Sequence, residues 1–237
     1  MSMVNVPKNR IVFLCSGGGG NLRFIYLAIM HKLISNAEIV AVVTDRNCAA
    51  NEFASSVGLP NYVVNVSQDD QSELVEKISG FMPDIIITTI HKILIKSVVT
   101  KYKNKLINLH YSLLPSFAGM IGTKPVEAAI QSGCKFSGAT VHFVDESVDG
   151  GEIITQVAIP ILQDDNLADA MNIIFRCGCL AVMSSINHMV LSSGNKLEKK
   201  IDVLTVLDRQ CLFSGVVDSQ INVPDDHFWQ WISARSH

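Results

Sequence analysis

Short apolar runs alternate with longer runs of mixed polarity through the first half of the chain. Residues 11–15 (IVFLC), 38–45 (EIVAVVTD), 62–66 (YVVNV), 84–90 (DIIITTI) and 106–110 (LINLH) are apolar and mostly rich in Val and Ile. Between them lie 21–35 (NLRFIYLAIMHKLIS), 51–58 (NEFASSVG, closed by Gly58), 69–79 and 96–103 (KSVVTKYK), each patterned as an amphipathic helix. Apolar, β-branched runs separated by helices predict a parallel sheet covered on both faces. The expected fold class is therefore α/β, with a mostly parallel central sheet.

The pattern changes in the second half. A helix over about 123–132 leads to a β run at 139–144 (ATVHFV) and another at 150–161 (GGEIITQVAIPI). The polar loop DESVDGG joins them, so they suit either an antiparallel pair or the edge of the main sheet. A long helix is predicted over 166–192. Residues 193–237 carry a few short β runs and the segment DDHFWQWI. They are expected to form a C-terminal extension packed on a catalytic domain of residues 1–192, with Trp229 and Trp231 as a packing or association patch. No repeat, low-complexity segment or clear linker interrupts the chain.

Composition narrows the possibilities. The chain has 237 residues, a 48% hydrophobic share and a formal charge of −3. A chain of this length can bury a sizeable core without disulfides. Its near balance of charge gives no broad attraction to nucleic acid or membrane, so neither is an expected partner. No apolar run is expected to reach the roughly 18–20 residues of a membrane helix. The opening MSMVNVPKNR lacks the apolar stretch of a signal peptide, which points to a cytoplasmic location. Six cysteines, at 15, 48, 134, 177, 179 and 211, form no Cys-x-x-Cys pair and no zinc spacing with His. They read as buried free thiols in a reducing compartment, with Cys177 and Cys179 on different faces of one helix, and no metal is expected.

Three stretches can carry chemistry. In CSGGGGNLR, Gly17, Gly18, Gly19, Gly20 and Asn21 lie between the first strand and the first helix. Glycines let backbone N–H groups approach an anion, and a helix N-terminus adds its dipole, so a phosphate or carboxylate site is expected there. A dinucleotide fingerprint is not complete, because Leu22 and Arg23 stand where the third glycine is needed, and no ATP loop is present. In NLH, Asn108 and His110 are two apart on one strand and share a face. They end a parallel strand where α/β folds place ligands, and an amide with an imidazole can polarise a carbonyl and move a proton. In VDESVDGG, Asp149 precedes two glycines in an acidic loop; beside His110 it would favour the charged imidazole. His91 and Lys92 follow the fourth strand and can line a pocket. His142 alternates with apolar residues and reads as a hydrogen-bonded core histidine. His31, His188 and His227 look incidental.

Taken together, SGGGGNL, NLHYSLLPSFAG and GATVHFVDESVDGGEII resemble the formyltransferase family that uses 10-formyltetrahydrofolate, over about residues 10–192. The closest likeness is to its glycinamide ribonucleotide transformylase branch, with some likeness to the catalytic domain of formyltetrahydrofolate hydrolase. The resemblance implies a Rossmann-like formyltransferase fold and a one-carbon transfer from 10-formyltetrahydrofolate to an amine, without a metal. It matches Asn108, His110 and Asp149 to the family's catalytic trio. Asn108 and protonated His110 would stabilise the oxyanion, and Asp149 would hold His110 charged and help relay the proton. It places the folate against His91, Lys92, Ile93 and Leu94, and against Val144, Asp145, Glu146 and Val148. The default acceptor is glycinamide ribonucleotide, of purine biosynthesis. The acceptor segment departs from that branch: MIGTKPVEAAI carries only Lys124 as a base, and Gly178 falls near the position of a substrate-binding Glu. Water as acceptor (a hydrolase), or an amino sugar or another metabolite amine, are the alternatives. A monomer or a homodimer is expected.

Overall fold

The computed structural model describes residues 7–191, 200–215 and 224–233. One nine-stranded sheet organises them, in the order β3-β2-β1-β4-β5-β6-β7-β9-β8. The first five strands are β1 (Asn9–Cys15), β2 (Ala37–Thr44), β3 (Asn61–Val63), β4 (Ile85–Thr89) and β5 (Leu106–His110), and they pair in parallel. Then the direction reverses. β6 (Phe136–Phe143), β7 (Ile153–Pro160), β8 (Lys200–Val206) and β9 (Arg209–Gly215) all pair antiparallel. The sheet is thus mixed, and less dominated by parallel pairing than the sequence pattern suggests. β6 and β7 are both an antiparallel pair and a continuation of the main sheet.

Helices α1 (Gly20–Met30), α2 (Ala49–Ser56), α3 (Ser72–Gly80), α4 (Lys96–Lys101), α5 (Lys124–Gln131), α6 (Leu167–Leu191) and α7 (Asp226–Ser233) complete the fold. Strand alternation splits the core into two layers. Ile11, Phe13, Ile87, Ile107 and Leu109 pack with α1, α2 and α6 on one face. Val12, Leu14, Ile86 and Leu106 pack with Leu74 and Ile78 of α3 and Val98 of α4 on the other.

Several elements are shorter than the pattern predicts. α1 stops at Met30 because Lys32 takes a left-handed φ of 60° and the Leu33 N–H bonds the Ala28 carbonyl at 2.8 Å, which closes the helix. β3 ends at Val63 because β2, its pairing partner, ends at Thr44; Val64 and Val66 then turn into the α3/α4 core.

α6 corrects the expectation that no apolar run is long enough for a membrane. By length and composition it qualifies, with mean hydropathy 1.4 over its most apolar stretch. Yet 67% of that stretch is buried inside the fold, against β6 and β7 among others, so its apolar surface faces protein. The six cysteines are free, with Cys15, Cys177, Cys179 and Cys211 buried. Cys177 faces Cys211 on β9 and Cys179 faces Asn21, so the two helical thiols do serve different sides.

α7, from the C-terminal segment, docks on α1. Trp229 stacks on Phe24 at 5.2 Å between ring centroids, and Arg176 of α6 lies 4.9 Å over the indole. Trp231 is 55% exposed, so only one tryptophan of the expected patch is used for packing within the chain.

Candidate functional site

β5 presents Asn108 and His110 on the same face as Leu106, opposite Ile107 and Leu109. The antiparallel β6 places His142 directly across from Asn108, and Thr140 across from His110. The loop after β6 then returns Asp149 to the same place. Asp149 holds a left-handed φ of 54°, a conformation that Asp tolerates better than most side chains. Its Oδ2 lies 3.3 Å from His110 Nε2 and accepts the Gly119 N–H at 2.8 Å, while its Oδ1 lies 3.7 Å from His142 Nε2. Asn108, His110 and Asp149 therefore converge at one point, as do His142 and the 119–122 segment.

The proton positions follow from the partners. Ser112 Oγ donates to the Ser116 carbonyl at 2.6 Å, so it accepts from His110 Nδ1–H at 2.9 Å. His110 Nε2 then faces the Met120 carbonyl at 3.0 Å and Asp149. A second proton on Nε2 satisfies both. Burial opposes that proton and is the larger influence: it pushes His110 below the ordinary imidazole value, with Asp149 and the Met120 carbonyl pulling upward and His142 downward. The resting imidazole is thus poised to receive a proton rather than held charged, although Asp149 acts in the expected direction. For Asp149 itself, burial raises the pKa. His142, the Gly119 N–H and His110 outweigh it, and the carboxyl stays below its ordinary value.

His142 belongs to this site. It is 2% exposed, and its Nδ1–H donates to the Phe143 carbonyl at 2.8 Å. Its Nε2 is left to accept from Asn108 Nδ2 at 3.2 Å, which fixes the orientation of that amide. The sequence reading, a hydrogen-bonded core histidine, is right about burial and bonding but misses the location. The pairing of β5 with β6 was the missing information. Thr140, Gln156 and Ser112 were also missed. Thr140 Oγ1 donates to the Ser112 carbonyl at 2.7 Å and accepts the Leu114 N–H at 3.1 Å, and Gln156 donates to the Leu114 carbonyl at 3.0 Å. Together they hold the turn that positions His110.

A cleft of about 270 Å³ opens over these groups. His91, Lys92, Ile93 and Leu94 line it, as do Val144, Asp145, Glu146 and Val148. Leu94 and Val144 also pack on the α3/α4 core, which puts this wall on that side of the sheet. The wall has its own supports. Ser16 Oγ accepts the His91 N–H at 2.7 Å; buried Gln71 bonds the Ile93 carbonyl at 3.0 Å and the Ile95 N–H at 3.1 Å. Lys96 and Glu146 clasp the two loops at the rim, 2.8 Å apart.

The glycine run is divided. Asn21 lines the cleft, whereas Gly17, Gly18, Gly19 and Gly20 do not. A Cβ on Gly20 would sit 2.8 Å from the Phe175 ring and one on Gly19, at a left-handed φ of 69°, would sit 3.0 Å from Ala50, so both glycines are closely packed. Gly17 and Gly18 have nothing within 4 Å of a Cβ and face open space. Among the described residues no group of three or more His, Cys, Asp and Glu is arranged to hold a metal ion.

Residues 9–178 match the family model described as formyl transferase. The chain belongs to the formyl transferase family. Among curated members, it is 30% identical over 172 residues to the chloroplastic phosphoribosylglycinamide formyltransferase of Vigna unguiculata, over 69% of this chain and 55% of that protein. The chain thus spans about half the length of the chloroplastic relatives it matches. Among solved structures of the family, glycinamide ribonucleotide transformylase 1 from Symbiobacterium toebii superimposes with a TM-score of 0.74 at 25% identity, covering 90% of this chain and 99% of that one. A formyltetrahydrofolate deformylase from Pseudomonas putida KT2440 shares the fold, with a TM-score of 0.69 at 20% identity, covering 86% of this chain and 70% of that one.

Proposed function

We propose that the protein transfers a formyl group from 10-formyltetrahydrofolate to an acceptor amine, with glycinamide ribonucleotide as the first acceptor to test. One observation carries the reading: a carboxylate, an imidazole and an amide from separate parts of the chain meet at the floor of one cleft. Family membership and relatives named as phosphoribosylglycinamide formyltransferases support it.

The amine nitrogen attacks the formyl carbon, and the carbonyl π pair moves to oxygen. Neutral His110 accepts the amine proton at Nε2, where Asp149 and the Met120 carbonyl welcome it. Asn108, its amide nitrogen directed by His142, supplies an N–H to the oxyanion, and the new imidazolium adds its positive charge beside it. Collapse of the intermediate breaks the bond to the folate N10, which takes the proton back from His110. Asp149 stays ionised throughout. The wall of residues 91–94 and 144–148 takes the folate, and no step needs a metal.

The test is a screen of amines, glycinamide ribonucleotide included, for consumption of 10-formyltetrahydrofolate, with the product identified by mass. Amine-dependent consumption and a formylated amine support the reading. Equal consumption without any amine, with formate as the product, contradicts it.

A further inference from the structure

The cleft crosses the edge of the sheet, and its two sides differ in chemistry. Leu94 and Val144 belong to the α3/α4 side. Tyr111, the residue after His110, packs instead on the α1/α6 side and lines the cleft there with Asn21. Its ring rests on α6 at Gly178, where a Cβ would lie 3.0 Å from Tyr111 Cε1 and 3.2 Å from Leu109. The glycine makes room for the phenol. Asn21 Nδ2 donates to the Tyr111 hydroxyl at 3.2 Å, and Cys179 Sγ donates to Asn21 Oδ1 at 3.1 Å. Three elements far apart in the chain therefore converge to fix one hydroxyl beside the reacting centre.

The groups that hold this hydroxyl are uncharged, and Arg176, which reaches Cys179 electrostatically, lies over the Trp229 indole and pairs with Asp226 at 3.6 Å. Burial pushes both the Tyr111 phenol and the Cys179 thiol well above their ordinary values, so both stay protonated at neutral pH. Among the described residues lining the cleft, the one lysine is Lys92, which follows β4 in the folate-side loop, and there is no arginine. A neutral phenol and amide match hydroxyl groups, which both donate and accept, better than they match a charged group.

Resting on the formyl-transfer reading, we propose that Tyr111 is the acceptor-selecting residue of this site, and that it binds a neutral, hydroxyl-bearing portion of the amine, as in a sugar. A site built to bond a substrate hydroxyl discriminates strongly against analogues that lack it. Removing the phenolic oxygen weakens acceptor binding without touching the groups that move the proton.

Three amines serve as probes: glycinamide ribonucleotide, glucosamine and glycinamide, which has no sugar. Wild type is expected to prefer a sugar-bearing amine over glycinamide. Tyr111→Phe keeps the ring on Gly178 and is expected to raise KM for that amine by about tenfold, the loss of one neutral hydrogen bond, with kcat and the KM for formyl-folate unchanged within about twofold. Gly178→Ala, which displaces the ring, should produce the same split. Preference for glycinamide, an unchanged KM in Tyr111→Phe, or an equal loss with sugar-bearing and sugar-free amines overturns the inference while leaving formyl transfer standing. Failure of wild type to formylate any amine, with formate released instead, overturns the underlying reading and this inference with it.

Discussion

Oδ2 of Asp149 lies 3.3 Å from Nε2 of His110 while also accepting the Gly119 N–H at 2.8 Å. One oxygen thus joins the loop after β6, the segment after the cis Leu114–Pro115 peptide and the end of β5. The carboxylate is held in place whether or not His110 carries its second proton. That is what a residue needs in order to stabilise a transient imidazolium.

Removing the imidazole should therefore abolish the chemistry and spare the fold. His110→Ala is expected to lower kcat by about 100-fold or more, with formyl-folate affinity retained. Steady-state kinetics with a fluorescence titration of a folate analogue separate the two quantities. Activity close to wild type would remove His110 from the mechanism.

The pH dependence has a defined sign. Burial holds the folded His110 below its ordinary value of 6.5, so folding favours the neutral ring. This contribution to stability is fully present above 6.5 and is lost as the pH falls through the folded value. Asp149, lowered from 3.8, adds stability that is present above 3.8 and lost as the pH falls through its own folded value. For kcat/KM the expected profile is level through neutrality, with an acid limb below 6.5. Asp149→Asn removes a charge that favours the imidazolium and should move this limb to lower pH. A pH–rate profile of both proteins, with an NMR titration of the His110 ring, checks the direction; movement to higher pH would contradict it.

Gly151 tests the loop that delivers Asp149. A Cβ there would overlap the Phe143 carbonyl oxygen, and Phe143 N–H bonds the Glu152 carbonyl at 2.9 Å. Gly151→Ala is expected to cost about 2 kcal/mol in stability, because the neighbour is backbone and cannot turn away. Chemical denaturation gives the number, and activity should fall as well, since Asp149 would shift.

The two C-terminal tryptophans should behave differently. Trp229 is 3% exposed, stacks on Phe24 and donates from Nε1 to the Pro224 carbonyl at 3.0 Å. Trp229→Ala is expected to cost about 3 kcal/mol. Trp231 is 55% exposed, and Trp231→Ala should stay within about 0.5 kcal/mol. Denaturant midpoints of the two variants make the comparison.

Much of this fold was legible because its signals are local. The strands from 11–15 to 106–110 announce themselves as apolar, β-branched runs, and the helices between them by periodicity. Asn108 and His110 share a face by strand alternation alone. What escaped were the non-local facts. His142 enters the site through its register with Asn108, and no spacing along the chain reveals which strand lies beside β5. Likewise, no spacing along the chain reveals that Ala50 and Phe175 from other elements lie against the glycines at 19 and 20. The apolar length of α6 was underestimated in sequence because polar residues interrupt its run; as one 25-residue helix it is long and apolar enough for a bilayer, and its packing against β6 and β7 shows what it buries. The balance between burial and Asp149 at His110 is also invisible in sequence, because burial is a property of the folded chain.

The central claim is that His110, Asn108 and Asp149 move a formyl group onto an amine. A single turnover with 10-[13C]formyltetrahydrofolate and the preferred amine, followed by 13C NMR, tests it most directly. The label should pass into a formamide at the rate of folate release, and should fail to do so in His110→Ala. Label appearing as formate at a rate independent of the amine would contradict the account.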